Sequence, residues 1–195
     1  MTLLSLSVFA FVLGSIPTGL IIAKVKGIDL RQTGSGNIGA TNVLRSAGKG
    51  AAFLTLSGDM LKGAAAVLLA GHFLPGQPVY QGIIGLCSIL GHNFSVFLKF
   101  RGGKGVATSL GVLSIYSPQT GLFTIIIWLM TVWITKYSSL GALVSFGILP
   151  LSIVLLDTRE KLPVAVFMSL ILFLRHRDNI SRLMKGTESK VGRRA

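Results

Sequence analysis

Residues 33–45 read TGSGNIGATNVLR, and the fold turns on how they are taken. Within them, Gly34-Ser35-Gly36-Asn37-Ile38-Gly39 fits the GxGxxG pattern of dinucleotide-binding units, which demands a buried strand just before it and a βαβ context. Here the pattern follows the polar Arg31-Gln32-Thr33, itself preceded by a long apolar run, so a Rossmann fold is rejected. What survives is the local physics. Glycines let successive backbone N–H groups converge, Ser35, Asn37, Thr41 and Asn42 add donors, and Arg45 supplies a planar fork suited to phosphate. A helix starting after the loop would offer its N-terminus to the same anion. A merely flexible loop accounts for Gly34 and Gly36 but not for the polar side chains gathered with them.

Outward from this loop the chain is apolar in both directions. Of 195 residues, 51% are hydrophobic and only 13% charged, with a mean hydropathy of +0.72. A soluble domain carries about a quarter charged residues, so the expected fold class is an all-α integral membrane protein. A crossing helix needs about 20 apolar residues, and the runs place spans at 2–23, 51–74, 79–98, 105–117, 120–135, 139–156 and 162–174. This predicts a seven-helix transmembrane bundle forming one domain over 1–195. The fourth and seventh runs are short, reaching about 20 Å at about 1.5 Å per residue, so five full spans plus half-helices is the alternative. Gly14 and Pro17 should kink the first span, Pro75 and Pro78 bracket a tight turn, and Pro118 parts two spans. No basic region precedes the first run, which is expected to stay as a span rather than be cleaved as a signal. The single cysteine, Cys87, lies in an apolar run and leaves no disulfide framework or thiolate metal cluster.

The net charge of +13 raises nucleic acid as a partner. Its distribution argues for a membrane instead. Lys24, Lys26, Arg31, Arg45 and Lys49 against Asp29 fill the first loop; Lys99, Arg101 and Lys104 fill the third; Lys136 the fifth; and a basic tail begins at Arg175. The intervening loops carry no charge or, at 157–161, cancel. Alternate loops thus hold the whole excess, the positive-inside pattern. It puts the N-terminus outside and the glycine loop, the 91–104 stretch and the tail in the cytoplasm. Anionic lipid headgroups are a sufficient partner for this charge, and no nucleic acid is needed.

Two further stretches are unusual. In Gly91-His92-Asn93-Phe94 through Phe100-Arg101-Gly102-Gly103-Lys104-Gly105-Val106-Ala107-Thr108, glycines surround Lys104, as a lysine approaching phosphate requires. It is not a Walker A loop, because Gly105 stands where Ser or Thr is needed. The plain reading of Arg101 and Lys104 is interfacial charge. His92 and Asn93 lie inside an apolar span and need partners within the bundle. In the tail, His176, Asn179 and Arg182 share a helix face, against the plain reading of a solvated basic tail, which fits Lys190, Arg193 and Arg194. Asp59 and Lys62, three apart within the second span, read as a buried ion pair. Ser138 and Ser139 begin the sixth span, where a helix N-terminus favours phosphate. The three histidines show no metal spacing, no GxSxG elbow appears, and the HxxxxD arrangement of many glycerolipid acyltransferases is missing. No cofactor or metal is expected.

Taken together, GSIPTG (14–19), TGSGNIGATNVLR (33–45), Asp59 and Lys62 within GDMLKG (58–63), GHNF (91–94), FRGGKGVAT (100–108), SSLGAL (138–143) and HRDNISRLMKGTE (176–188) resemble the PlsY family of bacterial inner-membrane acyl-phosphate:glycerol-3-phosphate acyltransferases. The resemblance covers nearly the whole chain and implies transfer of a fatty acyl group from acyl phosphate to the 1-hydroxyl of glycerol 3-phosphate. It also implies a soluble acyl-phosphate-producing enzyme as supplier. On that reading Gly34, Ser35, Gly36, Asn37, Thr41 and Asn42, with the Gly102 and Gly103 amides, hold the acyl phosphate and its developing oxyanion. Arg45 and Lys104, with Ser139, hold the glycerol phosphate; His176 and Asn179 position its hydroxyls; and Glu188 anchors the tail. Thr108 is a further substrate-binding candidate, with Asp59, Lys62, His92 and Asn93 structural or near the site. Either the donor's own phosphate or His176 takes the hydroxyl proton. A transporter of phosphorylated solutes is the second function class, weakened by the lack of an inverted repeat. A lipid-binding scaffold is the third.

Overall fold

Backbone in a bilayer must bond to itself, and among the described residues the chain is helical with no strand. The structure, a computed structural model, describes residues 2–192; Arg193 and Arg194 of the basic tail lie outside them. The first span is broken as Pro17 demands. Helix α1 (Leu3–Ser15) stops, Ile16 turns extended at φ −58° and ψ 117°, and α2 (Thr18–Val25) resumes. Proline lacks the N–H to continue a helix and disfavours helical backbone before it. After the glycine loop come α3 (Ala40–Ala47), α4 (Lys49–Phe73) and α5 (Pro78–Asn93), the last prolonged by a 3-10 turn at Val96–Leu98. Then follow α6 (Val106–Tyr116), α7 (Pro118–Thr135), α8 (Ser138–Leu156), α9 (Leu162–Arg175) and α10 (Arg177–Met184).

Among the described residues, five segments are long and apolar enough to cross a membrane: Leu3–Val25, Lys49–Phe73, Pro78–Leu98, Pro118–Thr135 and Ser138–Leu156. The two runs judged short fold as the 11-residue α6 and the 14-residue α9 and fall below that length. The prolines act as expected, Pro78 and Pro118 each opening a helix where the missing N–H costs nothing.

The main core is made by α6, α8 and α9, with Val112, Leu113, Phe146, Leu149, Ile153, Met168 and Leu172 buried. Leu122, Trp133 and Leu155 point outward, as lipid-facing residues do. Pro150 sits inside α8 and cannot donate to the carbonyl of Phe146. The Ser169 hydroxyl on α9 donates to that carbonyl instead, at 2.7 Å, and pins the two helices together.

The basic loops share one end of the bundle. Arg31 Nη2 donates to the Arg101 carbonyl at 2.5 Å, and the Val191 amide to the Lys136 carbonyl at 2.7 Å. In the 157–161 loop, Lys161 pairs with Asp157 at 2.9 Å and donates to the Tyr116 carbonyl at the end of α6 at 2.7 Å.

Candidate active site

A cavity of about 270 Å³ opens at the basic end, walled by the glycine loop, α3, the turn before α6, the start of α8, α10 and the tail. Its polar wall begins with the loop. Gly34 and Gly36 take φ of 59° and 68°, left-handed backbone that glycine adopts without strain. The buried Asn42 then fastens the loop. Its Nδ2 donates to the carbonyls of Leu30, Thr33 and Asn37 at 3.2, 3.0 and 2.8 Å, and its Oδ1 accepts from the Ser35 amide at 3.0 Å. This corrects the expectation that Asn42 donates to substrate: its amide is spent shaping the loop. Ser35, Asn37, Thr41 and Arg45 reach the cavity. Gly34 and Gly36 set the loop's turns and are not themselves part of the cavity lining, whereas Gly39 is. Thr41 shares a hydrogen bond with Ser138 at 3.0 Å. Arg45 Nη2 donates to the Ser189 carbonyl at 2.9 Å, and its buried Nε has no partner among the described residues.

A second correction concerns the turn before α6. The Gly102 amide donates to the Asn93 carbonyl at 3.2 Å and the Gly103 amide to the His92 carbonyl at 3.0 Å, so neither is open to an oxyanion. The carbonyls of both glycines are held as well. Arg175 Nη2 donates to them at 3.3 and 2.8 Å, and Arg175 Nε to Gly103 at 3.1 Å. The turn is a clamp that delivers Lys104, whose ammonium donates to Asn179 Oδ1. Thr108 is a third correction: it is fully buried, its carbonyl lies against Gly63 between α4 and α6, and it does not line the cavity. Asn93 is buried too, away from the lining.

Glu188 joins the tail to the site. It accepts from Ser139 Oγ at 2.8 Å and Asn179 Nδ2 at 2.6 Å on one oxygen, and from Arg182 Nε at 2.6 Å on the other. Burial raises its pKa, but those hydrogen bonds outweigh it and hold the carboxyl below its usual range. Lys104 is pushed down to about 8 by burial and then by the Arg182 guanidinium. Burial and the Lys104 ammonium push His176 down to about 4, so the ring is neutral near pH 7. His176 Nδ1 lies 2.9 Å from the Leu172 carbonyl, which can only accept. The proton is therefore on Nδ1, leaving the lone pair on Nε2.

Beneath this wall the expected Asp59–Lys62 pair is present at 2.8 Å and belongs to a larger knot. Thr18 donates its hydroxyl to Asp59. Lys62 also donates to the Ile16 carbonyl, freed by the Pro17 break, at 2.9 Å, and lies 2.8 Å from His92 Nδ1. Asp59 and His92 both line the cavity floor. From the floor an apolar groove runs along Ala52, Phe53 and Leu56 of α4, Leu110 of α6, and Trp128 and Val132 of α7.

The structure thus brings Ser35, Asn37, Thr41, Arg45, Lys104, Ser139, His176, Asn179 and Glu188 to one cavity. Sequence reasoning sets Arg182 on the face of His176 and Asn179 toward substrate hydroxyls and phosphate; in the structure it lines the cavity and its Nε is bonded to Glu188. That reasoning missed Arg175, Trp128 and Ser189, for which composition and spacing carried no signal. Among the described residues no group of three His, Cys, Asp or Glu is placed to hold a metal ion.

Residues 4–186 match the family model described as Glycerol-3-phosphate acyltransferase. A "Glycerol-3-phosphate acyltransferase" of Mesorhizobium japonicum is 50% identical over 186 residues, 95% of this chain and 94% of that one. Another of Trichlorobacter lovleyi is 46% identical over 182 residues, 93% of each chain. Among solved structures, the glycerol 3-phosphate form of PlsY (YgiH), an integral membrane glycerol 3-phosphate acyltransferase, aligns with a TM-score of 0.92 at 40% identity, covering 97% of this chain and 96% of that one. Its lysophosphatidic acid form aligns with a TM-score of 0.89 at 39% identity, covering 96% and 94%.

Proposed function

The chain belongs to the glycerol-3-phosphate acyltransferase family, and from that premise we propose that it transfers a fatty acyl group from acyl phosphate to the 1-hydroxyl of glycerol 3-phosphate, giving 1-acylglycerol 3-phosphate and inorganic phosphate. The observation that carries this reading is the two-sided cavity. A wall of cations and hydroxyls adjoins an apolar groove, which suits two phosphate-bearing substrates, one of them with a fatty chain.

In this assignment Ser35, Asn37 and Thr41, with the first turn of α3, receive the acyl phosphate. Arg45 and Lys104 take the glycerol phosphate, with the Ser139 hydroxyl committed to Glu188 beside them, and His176 Nε2 accepts from a glycerol hydroxyl while Asn179 orients it. Glu188 holds Ser139, Asn179 and Arg182 in place. Gly34, Gly36, Asn42, Gly102 and Gly103 act by shaping the two loops. A histidine at about pKa 4 is a weak base near pH 7, so the hydroxyl proton passes to the departing phosphate. Acyl phosphates are already activated, and positioning supplies much of the rate. The walls come from both halves of the sequence, so the chain is read as one catalytic unit. It lies in the bacterial inner membrane with its N-terminus outside and the cavity on the cytoplasmic side, where a soluble acyl-phosphate-producing enzyme supplies the donor.

The test is an assay of purified protein with palmitoyl phosphate and glycerol 3-phosphate, following phosphate and lipid product together, with Lys104→Ala alongside. Acceptor-dependent appearance of both products, lost at least about 100-fold in the variant, is expected. Well-folded protein that releases no phosphate would sink the reading and leave uptake of phosphorylated solutes into vesicles as the next assay.

A further inference from the structure

With the Gly102 and Gly103 amides committed, an acyl carbonyl in this cavity still needs a donor for the negative charge it develops. His92 meets the requirements. Lys62 has three N–H bonds and three acceptors: Asp59 Oδ1 at 2.8 Å, the Ile16 carbonyl at 2.9 Å and His92 Nδ1 at 2.8 Å. Carboxylate and carbonyl can only accept, so the third hydrogen goes to Nδ1, and the proton of a neutral His92 ring is fixed on Nε2. Nε2 has no hydrogen-bond partner among the described residues. It lies directly against Gly103, where any side chain would collide with the ring, one residue before Lys104.

The location is as informative as the tautomer. His92 touches Gly103, next to Lys104 of the cationic wall, and its Nδ1 lies 3.5 Å from Asp59, on the same α4 stripe as Leu56 and Ala52 of the apolar groove. In a bound acyl donor the group between phosphate and hydrocarbon is the reacting carbonyl. We propose that His92 is a further catalytic residue whose Nε2–H donates to the acyl carbonyl oxygen as it becomes an oxyanion. The inference rests on the acyl-transfer reading. The glycerol hydroxyl oxygen bonds to the carbonyl carbon and the C=O π pair moves onto the oxygen facing His92. That pair then returns as the bond to phosphate breaks, and phosphate leaves with the hydroxyl proton. His92 keeps its own proton throughout. Asp59, Lys62 and Thr18 are positioning residues that hold the ring in the donating form.

The experiment compares wild type, His92→Leu and His92→Gln in purified form, measuring kcat, KM for both substrates and thermal melting. Glutamine places an N–H where Nε2 lies; leucine does not. Removing one oxyanion donor costs about 10²–10³ in kcat, so H92L should lose that much with KM for glycerol 3-phosphate within about threefold, and H92Q should recover most of it. A melting H92L with full kcat overturns the inference alone, as does equal loss in both variants or loss confined to KM, which would make His92 only a support for Lys104. No acyl transfer by wild type overturns the underlying reading and this inference with it. Should H92L fail to melt cooperatively, wild type labelled with ¹⁵N-histidine is titrated with palmitoyl phosphonate, an unreactive donor analogue retaining the carbonyl. A downfield shift of the His92 Nε2–H signal is expected, and an unmoved signal on saturation overturns the proposal.

Discussion

Lys104 carries a charge that ordinary conditions can remove. With its pKa pushed down to about 8 it loses its proton as the pH rises through that value, whereas an unperturbed lysine stays charged to about 10.4. KM for glycerol 3-phosphate should therefore climb above pH 8 in wild type and stay flatter in Lys104→Arg, whose guanidinium does not titrate there; initial rates from pH 6.5 to 9.5 check this. His176 works in the opposite range. The folded ring resists protonation down to about 4, while an unfolded histidine takes its proton near 6.5. Between those values the unfolded state binds the extra proton, so stability falls as pH drops from 6.5 toward 4 and is insensitive to this group above 7. Melting temperature should decline over that window in wild type and less steeply in His176→Asn. Ser35, Arg45, Lys104, His176 and Asn179, which line one cavity, stood out in the sequence because their residue types have few other reasons to stand among apolar runs. Sequence reasoning misjudged Asn42, Gly102 and Gly103 because a donor's identity is written in the sequence but the acceptor it is spent on is a matter of folding.

Helix breaks were legible wherever proline causes them, since a missing N–H acts locally; Pro17, Pro78 and Pro118 all fall at helix ends. Pro150 is the exception, lying within α8, and its tolerance depends on α9. Without the Ser169 hydroxyl the Phe146 carbonyl loses its cross-helix donor inside the core. Ser169→Ala should cost about 1–3 kcal/mol, read as a lower melting temperature in detergent, while Ser152→Ala, whose hydroxyl bonds only within α8, should cost less. The short α6 was legible as an apolar run of doubtful length. That its Thr108 is buried away from the cavity was not, because helix rotation is set by packing partners distant in sequence.

The alternation of charged and neutral loops along the sequence corresponds to a spatial fact: residues 31 and 101, and 136 and 191, meet at the end that holds the cavity. In a Cys87→Ser background, an impermeant maleimide applied to intact cells should label Gly76→Cys and spare Lys190→Cys; the reverse result would invert the proposed orientation. The cavity itself draws its first wall from residues near 35–45 and its last from Glu188 and Ser189. Membrane proteins are inserted as they are synthesised, so the apolar groove can be in the bilayer well before the tail exists. Under the proposed reaction, a chain emerging from the ribosome would therefore stay catalytically silent, and draw on no activated fatty acid, until translation has passed residue 189.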